Sequence, residues 1–216
     1  MKIALVAKKG GVGKTTLCLL LYEAFKRAER TVAVRDYDAQ GSASKALDAF
    51  GGQKESPGQT YDILIIDTPP SLSAPATAAA VTEANIILVP TTPTPLDLWE
   101  ADEAAVFARE RNQTAKIRVV LNRSQKGTLL TQAFAQSAGA LSAKPLNAAL
   151  SHRQAFAQAA VLGWQALDKS AKEELLELAW LLQTYNVYNV YTLYKIEDAP
   201  PKVSYRRKIL VYKYIT

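Results

Sequence analysis

The sequence predicts an α/β fold: a mostly parallel, twisted sheet with helices on both faces. Three observations carry that prediction. Short apolar runs suited to buried parallel strands recur at residues 3–7, 31–35, 63–66, 86–89 and 117–121, and such near-continuous runs are what a strand covered on both sides requires. Helical patterns lie between most of them, and strands alternating with helices build parallel sheets. Residues able to do chemistry cluster just after the runs, at the strand ends where ligands bind in sheets of this kind.

The first run leads into Lys8-Lys9-Gly10-Gly11-Val12-Gly13-Lys14-Thr15-Thr16, which opens an apolar-striped helix over residues 17–28. Strand, glycine loop and helix is the setting of a phosphate-binding loop. Gly10, Gly11 and Gly13 carry no Cβ, so backbone N–H groups can turn inward on a polyphosphate. The helix adds its positive dipole end. Lys14 is placed to reach the β- and γ-phosphates, and the Thr15 hydroxyl to ligate Mg2+. The loop departs from G-x-x-x-x-G-K-[ST] in having Lys8 where the first glycine belongs, with a second lysine, Lys9, at its start. In this it resembles the deviant Walker A box of the ParA/MinD ATPases. The resemblance implies a P-loop NTPase-like fold with ATP bound by Lys9, Gly10, Gly11, Val12, Gly13, Lys14, Thr15 and Thr16. It also implies a nucleotide-dependent homodimer in which Lys9 reaches the partner's nucleotide.

The second run ends in Asp36-Tyr37-Asp38-Ala39-Gln40, similar to the family's D-x-D-P-Q with Ala39 in place of proline. The resemblance gives Asp38 the role of orienting the attacking water and helping to hold Mg2+, and leaves Asp36 free to cap the following turn. Residues 50–61 are glycine-rich and polar and read as a loop; relatives hold an extra strand or helix there. The third run ends in Asp67-Thr68-Pro69-Pro70, which resembles a Walker B strand and its turn. An acid at the end of a buried strand is costly without a cation or hydrogen-bond partners, and Asp67 meets that need by contacting Mg2+ through water. Residues 68–71 would form a switch that responds to the γ-phosphate. Pro90 to Leu98 reads P-x-x-P-x-P-L-D-L, again similar to the partition branch of the family, where a dimer contact is implied; a plain proline-rich connection reads equally well.

A helix over 98–111 precedes the fifth run and Asn122, which stands where relatives hold the adenine base. Ser151-His152-Arg153-Gln154-Ala155-Phe156 resembles the segment beside the non-specific DNA surface of partition ATPases. Ser151 is a plausible N-cap for a helix ending near Gly163, and Arg153 and Lys126 are candidate phosphate contacts. Ser170-Ala171-Lys172-Glu173 has the form of a capping box, opening a helix with leucines at 175, 176, 178, 181 and 182. The resemblance covers residues 1–183, the expected ATPase domain. Residues 184–216 hold seven of the ten tyrosines and six basic against two acidic residues, so much of the net charge of +6 lies there. This extension reads as a β-hairpin docking on the body, a basic-aromatic surface for nucleic acid, or a tail that is disordered or ordered by a partner.

At 216 residues and 49% hydrophobic, the chain can build one ordinary core. Its single cysteine, Cys18, cannot form an internal disulfide, which fits a reducing cytosol. No apolar run approaches the ~20 residues of a membrane span, so a cytoplasmic protein is expected. The basic balance suggests a polyanion partner without choosing between nucleic acid and anionic lipid. By resemblance, the leading expectation is a partition or cargo-positioning ATPase. It would need ATP and Mg2+, dimerise on ATP, bind non-specific DNA on the nucleoid, and hydrolyse ATP when stimulated by a ParB-like or cargo-adaptor protein. The alternative is a membrane-associated, MinD-like positioning ATPase, but the last segment shows no clear amphipathic stripe. A metal-cluster carrier would need more cysteines than one.

Overall fold

The computed structural model describes residues 1–191, with side chains to residue 184. Six strands, β1 (Lys2–Leu5), β2 (Val32–Asp36), β3 (Ile63–Asp67), β4 (Ile86–Thr91), β5 (Lys116–Ser124) and β6 (Pro145–Ser151), form one sheet in the order β2-β3-β1-β4-β5-β6. Every pairing is parallel. The connecting helices are α1 (Lys14–Arg27), α2 (Ser42–Phe50), α3 (Pro75–Glu83), α4 (Pro95–Arg111), α5 (Leu129–Ser137), α6 (Gln154–Leu162) and α7 (Lys169–Tyr191).

Alternation along the strands divides the core into two layers. Ile3, Leu5, Ile63, Ile65 and Leu88 pack with α1, α2, α6 and α7 on one face. Ala4, Val6, Leu64, Ile66 and Val89 pack with α3, α4 and α5 on the other. The five expected strands are all present. Burying each such Leu, Ile or Val side chain is worth about 1.5–3 kcal/mol, so near-continuous apolar runs belong inside the sheet. Register places Asp36 beside Asp67 and Asp67 beside Leu5, so the acids of two strands and the start of the glycine loop meet at the C-terminal end of the sheet.

Four local expectations are corrected. The sixth strand, β6, was not anticipated: Pro-Leu-Asn-Ala-Ala-Leu-Ser has no β-branched residue, and its pairing with β5 is irregular, as an edge strand tolerates. Ser151 ends that strand instead of capping α6, and its hydroxyl bonds Glu174 at 2.8 Å. The N-cap of α7 is Asp168, whose carboxylate accepts from the Ala171 N–H at 2.8 Å; Ser170 instead accepts from Arg153. Residues 185–191, read as extended, continue α7 as helix, because adding a residue to a formed helix is far easier than starting one. The rest of the expected hairpin, residues 192–216, lies outside the described residues. The 50–61 stretch is the expected loop, although Lys54 bridges Val34 at the sheet edge. That rung is tied down by Arg35, which pairs with Glu55 and Glu83.

Candidate functional site

The glycine loop and the first turn of α1 form the floor of the site. Gly11 and Gly13 adopt φ of 86° and 95°, which side-chain-bearing residues rarely take. Gly13 occupies the N-cap position of α1 with no side-chain cap, so the first N–H groups of a fourteen-residue helix face the loop and make an anion cradle. The Lys14 side chain folds over the loop and donates to the Lys9 carbonyl at 3.2 Å. Burial lowers its pKa, while Asp67 and Asp38 act to raise it. Val12 is buried and Thr16 half-buried in the first turn.

The Thr15 hydroxyl donates to Asp67 Oδ2 at 2.6 Å, while Asp67 Oδ1 is buried with no hydrogen-bond partner. Burial pushes the Asp67 carboxyl up to about 6; the Thr15 bond and Lys14 oppose that, and Asp36 and Asp38 add to it. A hydroxyl, an unpartnered buried carboxylate oxygen and neighbouring acids suit a hard divalent cation completed by phosphate and water oxygens. Among the described residues no group of three or more His, Cys, Asp or Glu side chains could hold a metal by itself, so a cation here would rely on such outside oxygens. Asp36 is the structural acid: it accepts from the Asp38 and Ser44 N–H groups. Asp38 is half-buried, accepts from the Gln40 N–H at 3.1 Å, and keeps one oxygen unengaged. Thr68 pins the start of the expected switch by donating to the Leu5 carbonyl at 2.6 Å.

Lys9 points away from the loop. Its ammonium pairs with Asp97 at 2.6 Å and Glu100 at 2.9 Å in the first turns of α4, and Lys8 pairs with Glu103. Asp97 lies in the P-L-D-L motif, so the motif was visible, but its partner Lys9 lies far away in sequence. Leu96 and Trp99, 64% and 65% exposed, flank these acids. Asn122, at the end of β5, is buried against the loop: its amide donates to the Val12 carbonyl at 2.9 Å. Lys126 stands exposed in the turn after β5. Arg153 reaches the same end of the sheet through the His152 N–H bond to the Ser124 carbonyl, but its guanidinium binds Glu174 at 2.8 Å and Asp168 at 3.5 Å.

A parallel sheet with a glycine loop between its central strand and a helix, facing two acidic strand ends, defines a phosphate-loop nucleotide-binding protein. The family model described as CobQ/CobB/MinD/ParA nucleotide binding domain matches residues 3–163, and the chain belongs to that family. A curated relative, "Maintenance of carboxysome distribution protein A" from Halothiobacillus neapolitanus, is 27% identical over 193 residues, covering 79% of this chain and 88% of its own. Among solved structures, the MinC:MinD cell division complex of Aquifex aeolicus superposes with a TM-score of 0.70 at 16% identity, covering 85% of this chain and 96% of that one. A McdA–ATP complex from Cyanothece gives 0.62 at 16% identity, covering 84% and 96%.

Proposed function

We propose that the chain is an ATP-dependent positioning ATPase that forms an ATP-sandwich dimer, binds non-specific DNA and hydrolyses ATP slowly until a partner protein stimulates it. The observation that supports this most is the convergence of Lys14, Thr15, Asp67 and Asp38 on one glycine loop, with a second lysine, Lys9, held at its rim. The relative named for carboxysome distribution favours a protein organelle over a plasmid as cargo, with a cargo-adaptor protein as the stimulating partner.

ATP would lie with its phosphates on the N–H groups of residues 10–16 and its base toward Asn122. Thr15 directly, and Asp67 and Asp38 through water, would hold Mg2+, which supplies positive charge at the phosphates. Lys14 neutralises the β- and γ-oxygens. Asp38 would orient water toward the γ-phosphorus; the water oxygen bonds to that phosphorus as its bond to the β–γ bridging oxygen breaks, that oxygen leaves on ADP with the electron pair, and the water's protons pass to the released phosphate and solvent. This is charge neutralisation and positioning, with no covalent intermediate. For Lys9 to reach a partner's phosphates it must exchange Asp97 and Glu100 for them, and the exposed Leu96–Trp99 face beside it is suited to the dimer contact. Lys126 is an exposed cation on the proposed DNA face; Arg153 joins it only by leaving Glu174. In a cell such a protein would be cytoplasmic and on the nucleoid when ATP-bound.

The test combines light scattering with binding to random-sequence duplex DNA, without nucleotide and with ADP or ATP, over a salt series. Wild type and Asp38→Ala are expected to dimerise and bind DNA only with ATP, with affinity falling steeply as salt rises. Lys9→Ala is expected to do neither. A normal ATP dimer in Lys9→Ala would sink the sandwich assignment, and ATP-gated binding to anionic liposomes instead of DNA would favour the membrane branch.

A further inference from the structure

We propose that Asn122 is a positioning residue for the phosphate loop, setting its shape whatever base the nucleotide carries. The inference rests on the nucleotide site proposed above and adds a task to the base contact expected of this residue. Asn122 reaches across 110 positions of sequence to donate to the Val12 carbonyl, the residue between the two left-handed glycines. Its Oδ1 accepts from the Arg123 N–H at 2.9 Å, and Arg123 itself holds φ of 55°, a costly conformation for a non-glycine residue that persists only where its surroundings fix it.

The packing is equally specific. A Cβ on Gly13 would be driven into the Asn122 amide nitrogen, so any other residue there would have to displace that amide as well as adopt a positive φ. The amide sits in the space next to the last glycine before Lys14 and is 8% exposed. An amide donates from one atom and accepts at another, and here the donating end holds the loop while the accepting end holds the end of β5. The loop's N–H groups can converge on phosphate only if its carbonyls are turned outward and held there. The Val12 carbonyl is the one that Asn122 holds, and β5, built into the sheet between β4 and β6, is the rigid body that carries Asn122. Preorganised donors of this kind are what an anion site needs.

The test separates this from a contact to the base by using a ligand that has no base. Binding of magnesium tripolyphosphate and of magnesium ATP to the full chain is measured by calorimetry for wild type, Asn122→Ala and Asn122→Leu, with the ligand-free melting temperature as the check on folding. Asn122→Leu keeps the shape of the side chain without its hydrogen bonds, and it carries the test if the alanine variant melts early. The expected result is a loss of about tenfold or more for both ligands, by similar factors, at a nearly unchanged ligand-free melting temperature. Weakened ATP with unchanged tripolyphosphate would overturn the proposal in favour of a base contact alone, and unchanged binding of both would overturn it outright. If the wild type bound neither ligand, the nucleotide site itself would be wrong, which is a separate result.

Discussion

Asp67 carries a cost in the ligand-free protein that its function would remove. Its carboxyl is fully buried, one oxygen has no partner, and burial pushes its pKa up to about 6, from ~4 in the unfolded chain. A raised carboxyl means that the folded state binds the extra proton, so the contribution of Asp67 to ligand-free stability is fully present below pH ~4 and is lost as pH rises through about 6. The full effect is about 3 kcal/mol, at 1.36 kcal/mol per pKa unit. Asp67→Asn is therefore expected to unfold at higher urea than wild type at pH 7 without ligand, and to lose the stabilisation that magnesium ATP gives. A variant no more stable than wild type at pH 7, with the same slope of stability between pH 4 and 6, would count against this reading. The acid itself was legible in the sequence, because a charged residue ending the apolar run 63–66 is conspicuous. Its convergence with Thr15, 52 residues away, on one Mg2+ was expected from the family resemblance, whereas the direct hydrogen bond between them became visible only once β1 and β3 were in register.

At the scale of elements, one side chain ties two helices and a strand together. Asn112, 8% exposed, donates to the carbonyls of Val81, Thr82 and Ala84 at the end of α3. Its oxygen accepts from Thr114 and Ala115 at the turn into β5. Removing it leaves several buried polar groups unsatisfied, at ~1–3 kcal/mol each. Asn112→Ala is thus expected to lose about 2–4 kcal/mol, or roughly 5–15 °C in melting temperature for a chain of this size, while tripolyphosphate binding stays intact. Melting within 2 °C of wild type would refute that account. Little in the sequence marks this asparagine, because the three carbonyls at the end of α3 reach it only after α3 and α4 have packed; the bonds to Thr114 and Ala115 are local. The same holds for helix starts: Ser151 and Ser170 look like caps, yet Asp168 and the Arg153–Glu174 pair decide the local geometry. The strands β1 to β5 were legible because burial on both faces leaves a plain apolar run. β6, at the edge and without β-branched residues, leaves no such trace.

At the scale of the whole molecule, the site and its rim occupy one end of the sheet. On the proposed function, two copies meet over the glycine loops, and an isologous contact brings each surface patch against its own copy. Lys8 and Lys9 standing beside Asp97, Glu100 and Glu103 make that patch complementary to itself in charge, and Trp99 gives it an apolar anchor. Trp99→Ala is expected to weaken ATP-dependent self-association by about tenfold or more, as loss of a central aromatic anchor does, with the affinity of the monomer for tripolyphosphate unchanged. Equal association in sedimentation velocity would remove Trp99 from the interface. The strand order has a further consequence, this one for synthesis of the chain. β1 precedes the other five strands in the chain but lies in the middle of the sheet, paired to residues 64–67 and 86–88 on its two sides, and the loop that follows it is held by Asn122. At ~5–20 residues per second, a ribosome needs on the order of 10 s to get from the loop to that residue. Through that interval the glycine loop is outside the channel of the ribosome without the strands that shape it, so the nascent chain is expected to acquire nucleotide only once β5 has emerged.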